Sequence, residues 1–211
     1  MIEVIAEIAN AHQGNYKTAI KLAKQAFSSG ADAVKFQIYF ADELLVKSHA
    51  RYKHFLNQSF SLNQWKSIFL SQQNKKIYCD IFGIKALNLA IKYKVYGVKI
   101  HSSDLENLEL IKKIPKKMKV LLSCGGSNLF TISKALKILN DKGIKPVLMH
   151  GFQAYPTNIQ DINFNRLELL ADQFKNTASL GFQDHTSGSD KMNFYLPTLA
   201  IGMGARYIEK H

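Results

Sequence analysis

Short apolar runs recur eight times along the 211 residues, and segments with helical spacing stand between them. This alternation restricts the fold more than any other feature, because consecutive strands bridged by helices must run parallel. The runs span residues 3–9, 31–39, 77–82, 96–101, 119–123, 146–151, 178–182 and 206–208. Between them the spacing predicts helices over 16–28, 62–72, 84–93, 105–114, 129–140, 166–174 and 191–204. Leu129, Ile132, Leu136 and Leu139 form one stripe. Ser61 is placed to cap one helix, Gly30 to end another and Pro115 to stop a third. Residues 41–60 are the least regular stretch.

No linker or low-complexity segment divides the chain, so residues 1–211 are expected to form a single domain. Eight strand–helix units give an α/β fold, the (β/α)8 TIM barrel; the eighth helix is not represented. A doubly wound open sheet is the alternative, but no Gly-rich phosphate fingerprint follows the first strand.

Composition narrows the function classes. No apolar run reaches the roughly 18–20 residues of a membrane span. The N-terminal residues carry acids rather than the basic flank of a signal peptide. Cys79 and Cys124 are too few for a disulfide framework and fit a cytoplasmic location. The formal charge is +12. Lysines such as Lys17, Lys21, Lys24, Lys134, Lys137 and Lys142 are spread over helix faces, and only Lys112 to Lys119 forms a dense cluster. That pattern reads as a solvated basic surface, with neither nucleic acid nor membrane as partner.

Chemistry concentrates at the C-terminal ends of the strands, where barrels keep their active sites. The last two strands each end in a carboxylate beside a histidine, so Asp184, His185, Glu209 and His211 are expected to converge on one rim. Two imidazoles with carboxylates can hold a divalent metal, although either histidine alone could simply bond backbone. Lys35 and Lys99 stand inside strongly apolar strands, and alternation turns both into the lumen. Two ammonium groups there require an anion between them, with Ser102, Ser123 and the Gly125-Gly126 amides as donors. Structural pairing with Glu7 and Asp80, or Schiff-base chemistry, are the other readings of the lysines.

These residues resemble the N-acetylneuraminate (sialic acid) synthase family along the whole chain. Glu7-Ile-Ala-Asn-Ala-His-Gln-Gly14, Gly30-Ala-Asp-Ala-Val-Lys-Phe-Gln37 and Val98-Lys-Ile-His-Ser-Ser-Asp104 carry the resemblance in the first half. Leu122-Ser-Cys-Gly125, Tyr155-Pro-Thr157, Asp184-His-Thr186 and Ile208-Glu-Lys-His211 carry it in the second. The resemblance implies condensation of phosphoenolpyruvate with an N-acyl-mannosamine-type aldose. The enol carbon attacks the aldehyde, water adds, and phosphate leaves by C–O cleavage. It implies a metal, Mn²⁺ or Mg²⁺, on His185 and His211 with Glu209 nearby. Lys35, Lys99, Ser102, Ser123 and Tyr155 would bind phosphoenolpyruvate, and Glu7 would face the reacting carbons.

The chain departs from the family pattern at several of these places. Gln153 replaces an Asn and Gln183 a Ser, both at positions that contact phosphoenolpyruvate in the family. Cys79-Asp-Ile-Phe82 replaces Ser-Thr-Pro-Phe and adds a carboxylate, and His101 replaces a small residue. Family members continue past the position of His211 with an eighth helix and an antifreeze-like domain, so a truncated barrel that forms a homodimer is expected. A metal-dependent sugar isomerase or aldolase, and a non-catalytic sugar-phosphate-binding module, are the competing functions.

Overall fold

Local signals set most element boundaries. Helix α1 (Tyr16–Ser28) follows β1 (Glu3–Glu7), and Asn15 caps it by accepting from the amides of Lys17 and Thr18. After β2 (Ala33–Ile38) the irregular stretch contains two short helices, α2 (Ala41–Leu44) and α3 (Tyr52–Gln58). Neither has a side-chain cap and α3 buries no residue, so sequence periodicity carries no sign of them. Ser61 does cap α4 (Leu62–Ser71), in a reciprocal capping box with Gln64.

β3 (Ile77–Ile81), α5 (Ile84–Lys92) and β4 (Gly97–Ile100) fall where expected. The helix expected over 105–114 is shorter: a 3₁₀ turn occupies Ser102–Asp104, and Asn107 caps α6 (Leu108–Lys112). The remaining elements are β5 (Lys119–Ser123), α7 (Leu129–Asp141), β6 (Val147–His150), α8 (Phe164–Phe174), β7 (Ser179–Asp184), α9 (Met192–Gly202) and β8 (Tyr207–Lys210).

The computed structural model describes residues 1–211, and its eight strands close into one parallel barrel in chain order. β1 pairs with β2 and, through Glu3 opposite Tyr207, with β8. The (β/α)8 architecture is therefore the fold, and the open-sheet alternative is excluded. Outward-facing strand residues such as Val34, Phe36, Val98, Val120, Leu122 and Phe182 pack under the helices in the main core.

Inward-facing residues form a second, separate cluster of Ile5, Ala33, Tyr78, Leu121, Val147 and Met149. Gly97 makes room there, since a Cβ would lie 2.6 Å from the Tyr78 ring. Outside, Val4 on β1 is 39% exposed, whereas Ile208 on β8 is buried. More apolar surface is exposed on α9, at Phe194, Tyr195 and Leu199. No helix is long and apolar enough to cross a membrane.

Candidate active site at the mouth of the barrel

Strand register decides which polar residues meet. Glu7 lies opposite Lys35, Asp80 opposite Lys99, and Gln183 opposite Glu209, so one layer of the lumen collects them. Lys35 is fully buried and bonds both Glu7 and Asp80, with Glu209 3.7 Å away. Lys99 reaches Glu209 at 2.7 Å. The two ammonium groups are thus interleaved with three carboxylates, so the leading expectation of an anion between them gives way to the alternative of structural pairing, with Glu209 added to Glu7 and Asp80. Structural pairing satisfies both lysines in the free protein.

Burial and these charges set the protonation states. Burial raises the Glu7 carboxyl to about 7, helped by Glu209 and Asp80 and opposed by Lys35. Burial would raise Glu209 as well, but Lys35 and Lys99 outweigh it and hold it at about 2. For Lys35, burial is outweighed by Asp80, Glu209 and Glu7, so the ammonium stays charged. Asp80 Oδ1 and Glu209 Oε2 are buried without a hydrogen-bond partner. With Gln183 Oε1, which also lacks a partner, they are the free acceptors of the layer.

A second group lies beside them. Ser123 Oγ accepts from Gln153 Nε2 at 2.9 Å and Gln183 Nε2 at 3.0 Å, which leaves its O–H free to donate. Gln183 fits because Gly151 has no side chain; a Cβ there would overlap its Cγ. Ser102 is half-buried in the turn after β4, and no hydrogen bond ties it to this group.

At the rim, His185, Glu209 and His211 place possible ligand atoms within 4.8 Å of one another. The ring of His185 lies 5.0 Å from that of His211, and Tyr155 stands 4.8 Å from His211 and 6.3 Å from His185. His185 Nδ1 is 2.7 Å from the Phe152 carbonyl; donating there leaves Nε2 as the free ligand atom. Burial lowers the pKa of His185 and takes that of His211 down to about 4, so both are neutral at pH 7. Two neutral imidazoles beside the Glu209 carboxylate are a mixed N/O donor set that suits a divalent cation, and the residues fit such an ion.

Asp184 does not join them. It points away from the lumen, bonds Lys210 and accepts from the Thr186 amide at 2.9 Å. The period-two alternation that sends Gln183 inward sends Asp184 outward. His150 is outward too, with Nε2 2.8 Å from the Ile162 carbonyl.

Sequence reasoning missed the Phe152 carbonyl, since a backbone contact has no residue signature. It also missed Arg166, whose guanidinium holds the Cys124 and Ser127 carbonyls around the Gly125-Gly126 turn. An arginine in the first turn of a helix with no acid beside it was the available signal.

Residues 22–211 match the NeuB family. The chain is 30% identical to an N,N'-diacetyllegionaminic acid synthase from Legionella pneumophila, over 99% of this chain and 63% of that protein. It is 29% identical to a pseudaminic acid synthase from Campylobacter jejuni, over 99% of this chain and 64% of that one. A crystal structure of an N-acetylneuraminic acid synthetase from Leptospira borgpetersenii, in complex with citrate, superposes with a TM-score of 0.89 at 27% identity. That comparison covers 100% of this chain and 72% of the other. The chain spans less than two thirds of the length of those two synthases. Barrel topology, the polar layer of the lumen and the family match agree: this chain belongs to the NeuB family.

Proposed function

We propose that this chain forms the reaction barrel of a nonulosonate synthase, which joins phosphoenolpyruvate to an N-acyl-mannosamine-type aldose and releases phosphate. The observation that carries the reading is the double membership of Glu209. One of its oxygens accepts from Lys99, while the same side chain has a possible ligand atom within 4.8 Å of those of His185 and His211. An anion held by ammonium groups and an aldehyde held at the imidazole pair would therefore be neighbours.

His185, His211 and Glu209 would hold a divalent cation such as Mn²⁺ or Mg²⁺, whose contribution is to polarise the sugar aldehyde. The protein's own groups do the remainder. Lys99 and Lys35 supply positive charge for the phosphate and carboxylate of phosphoenolpyruvate. The free Ser123 hydroxyl donates to one of its oxygens, with Gln153, Gln183, Ser102 and Tyr155 bordering the same space. A carbon–carbon bond forms between the enol CH₂ and the aldehyde carbon, and the aldehyde oxygen gains a proton. Water then adds at the adjacent carbon, whose bond to the phosphate oxygen breaks. Glu7, with a pKa of about 7, can hold or accept a proton at neutral pH and is the group suited to the water step.

Calorimetric titration of phosphoenolpyruvate with and without Mn²⁺, into wild type and Lys99→Ala, tests the reading. Micromolar binding that the variant loses is the expected result. No heat with folded wild-type protein would remove phosphoenolpyruvate and leave the isomerase or binding-module readings.

A further inference from the structure

We infer that the end of the barrel opposite the site is an attachment face for an anionic lipid bilayer. In a parallel barrel every helix-to-strand connection lies at that end and every strand-to-helix connection at the other. The helix-to-strand connections are residues 29–32, 72–76, 93–96, 113–118, 142–146, 175–178 and 203–206. Together they carry ten lysines and arginines against a single acid, Asp32. The strand-to-helix connections, with the segment that holds α2 and α3, carry four cations against six acids. The connections at that end thus carry a net +9, against −2 at the other, within a chain of formal charge +12. The fold converts a lysine pattern that looked dispersed along the sequence into one continuous face.

Most of these charges are uncompensated within the protein. Lys76 pairs with Glu3, and Lys142 donates to the carbonyls of Lys112 and Ile114. Lys94, Lys113, Lys116, Lys117 and Lys145 are exposed and have no carboxylate within ion-pair distance. Clustered like charge destabilises a folded protein unless something outside neutralises it.

The chemistry of the face favours lipid headgroups over nucleic acid. Nine of the ten cations are lysines, point charges suited to a diffuse negative field rather than to fork-like recognition of individual phosphates. The two tyrosines of the face are not free to stack on bases. Tyr93 lies on Phe69 at 5.2 Å, and Tyr96 packs edge-on to Tyr78 with the Lys76 ammonium over its ring. Attachment by this end would leave the mouth of the barrel open to solvent.

Vesicle sedimentation tests the inference, using phosphatidylcholine alone and phosphatidylcholine with about one third phosphatidylglycerol. Wild type should bind only the anionic vesicles and weaken at least about tenfold between about 0.1 and 0.5 M salt. Two triple variants carry the same change of net charge: Lys113→Glu/Lys116→Glu/Lys117→Glu on the face, and Lys17→Glu/Lys21→Glu/Lys24→Glu on α1. Circular dichroism establishes that each is folded. The first should lose about tenfold in binding, while the second stays within about threefold of wild type. Equal losses in the two variants, no binding of wild type to anionic vesicles, or tighter binding of single-stranded RNA at the same salt would each overturn the inference.

Discussion

The two halves of the barrel interior are built on the same strands yet obey opposite rules. In the lower half Ile5, Tyr78, Leu121, Val147 and Met149 pack against one another as an ordinary apolar core. Two residues further along, β1, β3 and β5 present Glu7, Asp80 and Ser123, and on β7 Gln183 follows Gly181. Lys35 follows Ala33, Lys99 follows Gly97, and Glu209 follows Tyr207 in the same way. The difference teaches where the fold keeps its stability. The apolar layer closes the barrel, while the ionic layer is tolerated because each ammonium has a carboxylate and the register aligns them.

Removing a charge should break this balance more severely than removing an apolar side chain. Lys35→Ala leaves Glu7 and Asp80 buried without their shared cation and should cost about 3–5 kcal/mol in urea unfolding. Leu121→Ala should cost about 3 kcal/mol through its cavity and leave anion binding intact. Lys35→Met combined with Glu7→Gln and Asp80→Asn should recover most of the stability but none of the binding. If that triple variant remains as unstable as Lys35→Ala, the cost lies in packing and the contrast between the layers fails.

Asp80 allows a finer test. The layer holds three carboxylates against two ammonium groups, and Asp80 Oδ1 is the acceptor least engaged. Asp80→Asn should free Lys35 for an incoming anion and tighten phosphoenolpyruvate about tenfold, roughly 1.4 kcal/mol. Unchanged or weaker binding in calorimetry would show that Asp80 only positions Lys35.

A pH-dependent effect concerns a polar group at the same end of the barrel that is packed like an apolar one. His12 is buried, its ring 4.4 Å from that of Phe60, and its Nδ1 accepts from the Gly14 amide. Burial takes its pKa down to about 4. The unfolded chain therefore binds a proton between about pH 6.5 and 4 that the folded one does not, so stability falls as pH drops through that window. At pH 5 the loss should be roughly 2 kcal/mol. Glu7, raised to about 7, contributes with the opposite sign, so the measurement is the difference between wild type and His12→Asn at pH 7 and pH 5. The variant should lack most of the acid sensitivity; equal slopes would remove His12 from the account.

Much of this was legible in the residues. The barrel followed from alternation, since eight strand-length runs with helices between them admit few closed arrangements. Lys35 and Lys99 announced the ionic layer, because a lysine inside a run like Val98-Lys-Ile is expensive unless paired. Asp184 was misplaced because a motif groups it with His185, although adjacent strand residues face opposite ways. The pairing of Lys35 with Asp80 depends on register, and spacing along the chain carries no record of it. The gathering of lysines at one end was hidden for the same reason: connections far apart in sequence become neighbours only when the barrel closes.

The ladder between β1 and β8 has a consequence for how the molecule is made. It joins Glu3 to Tyr207, nearly the full length of the chain, so its loop-closure entropy is the largest in the barrel. A chain paired only through β1–β4 already contains Glu7, Lys35, Asp80 and Lys99, but not Glu209, which lies on the last strand. His185, Glu209 and His211 all belong to the final 27 residues. During synthesis the strands accumulate one at a time, and the site exists only once the last of them has found the first.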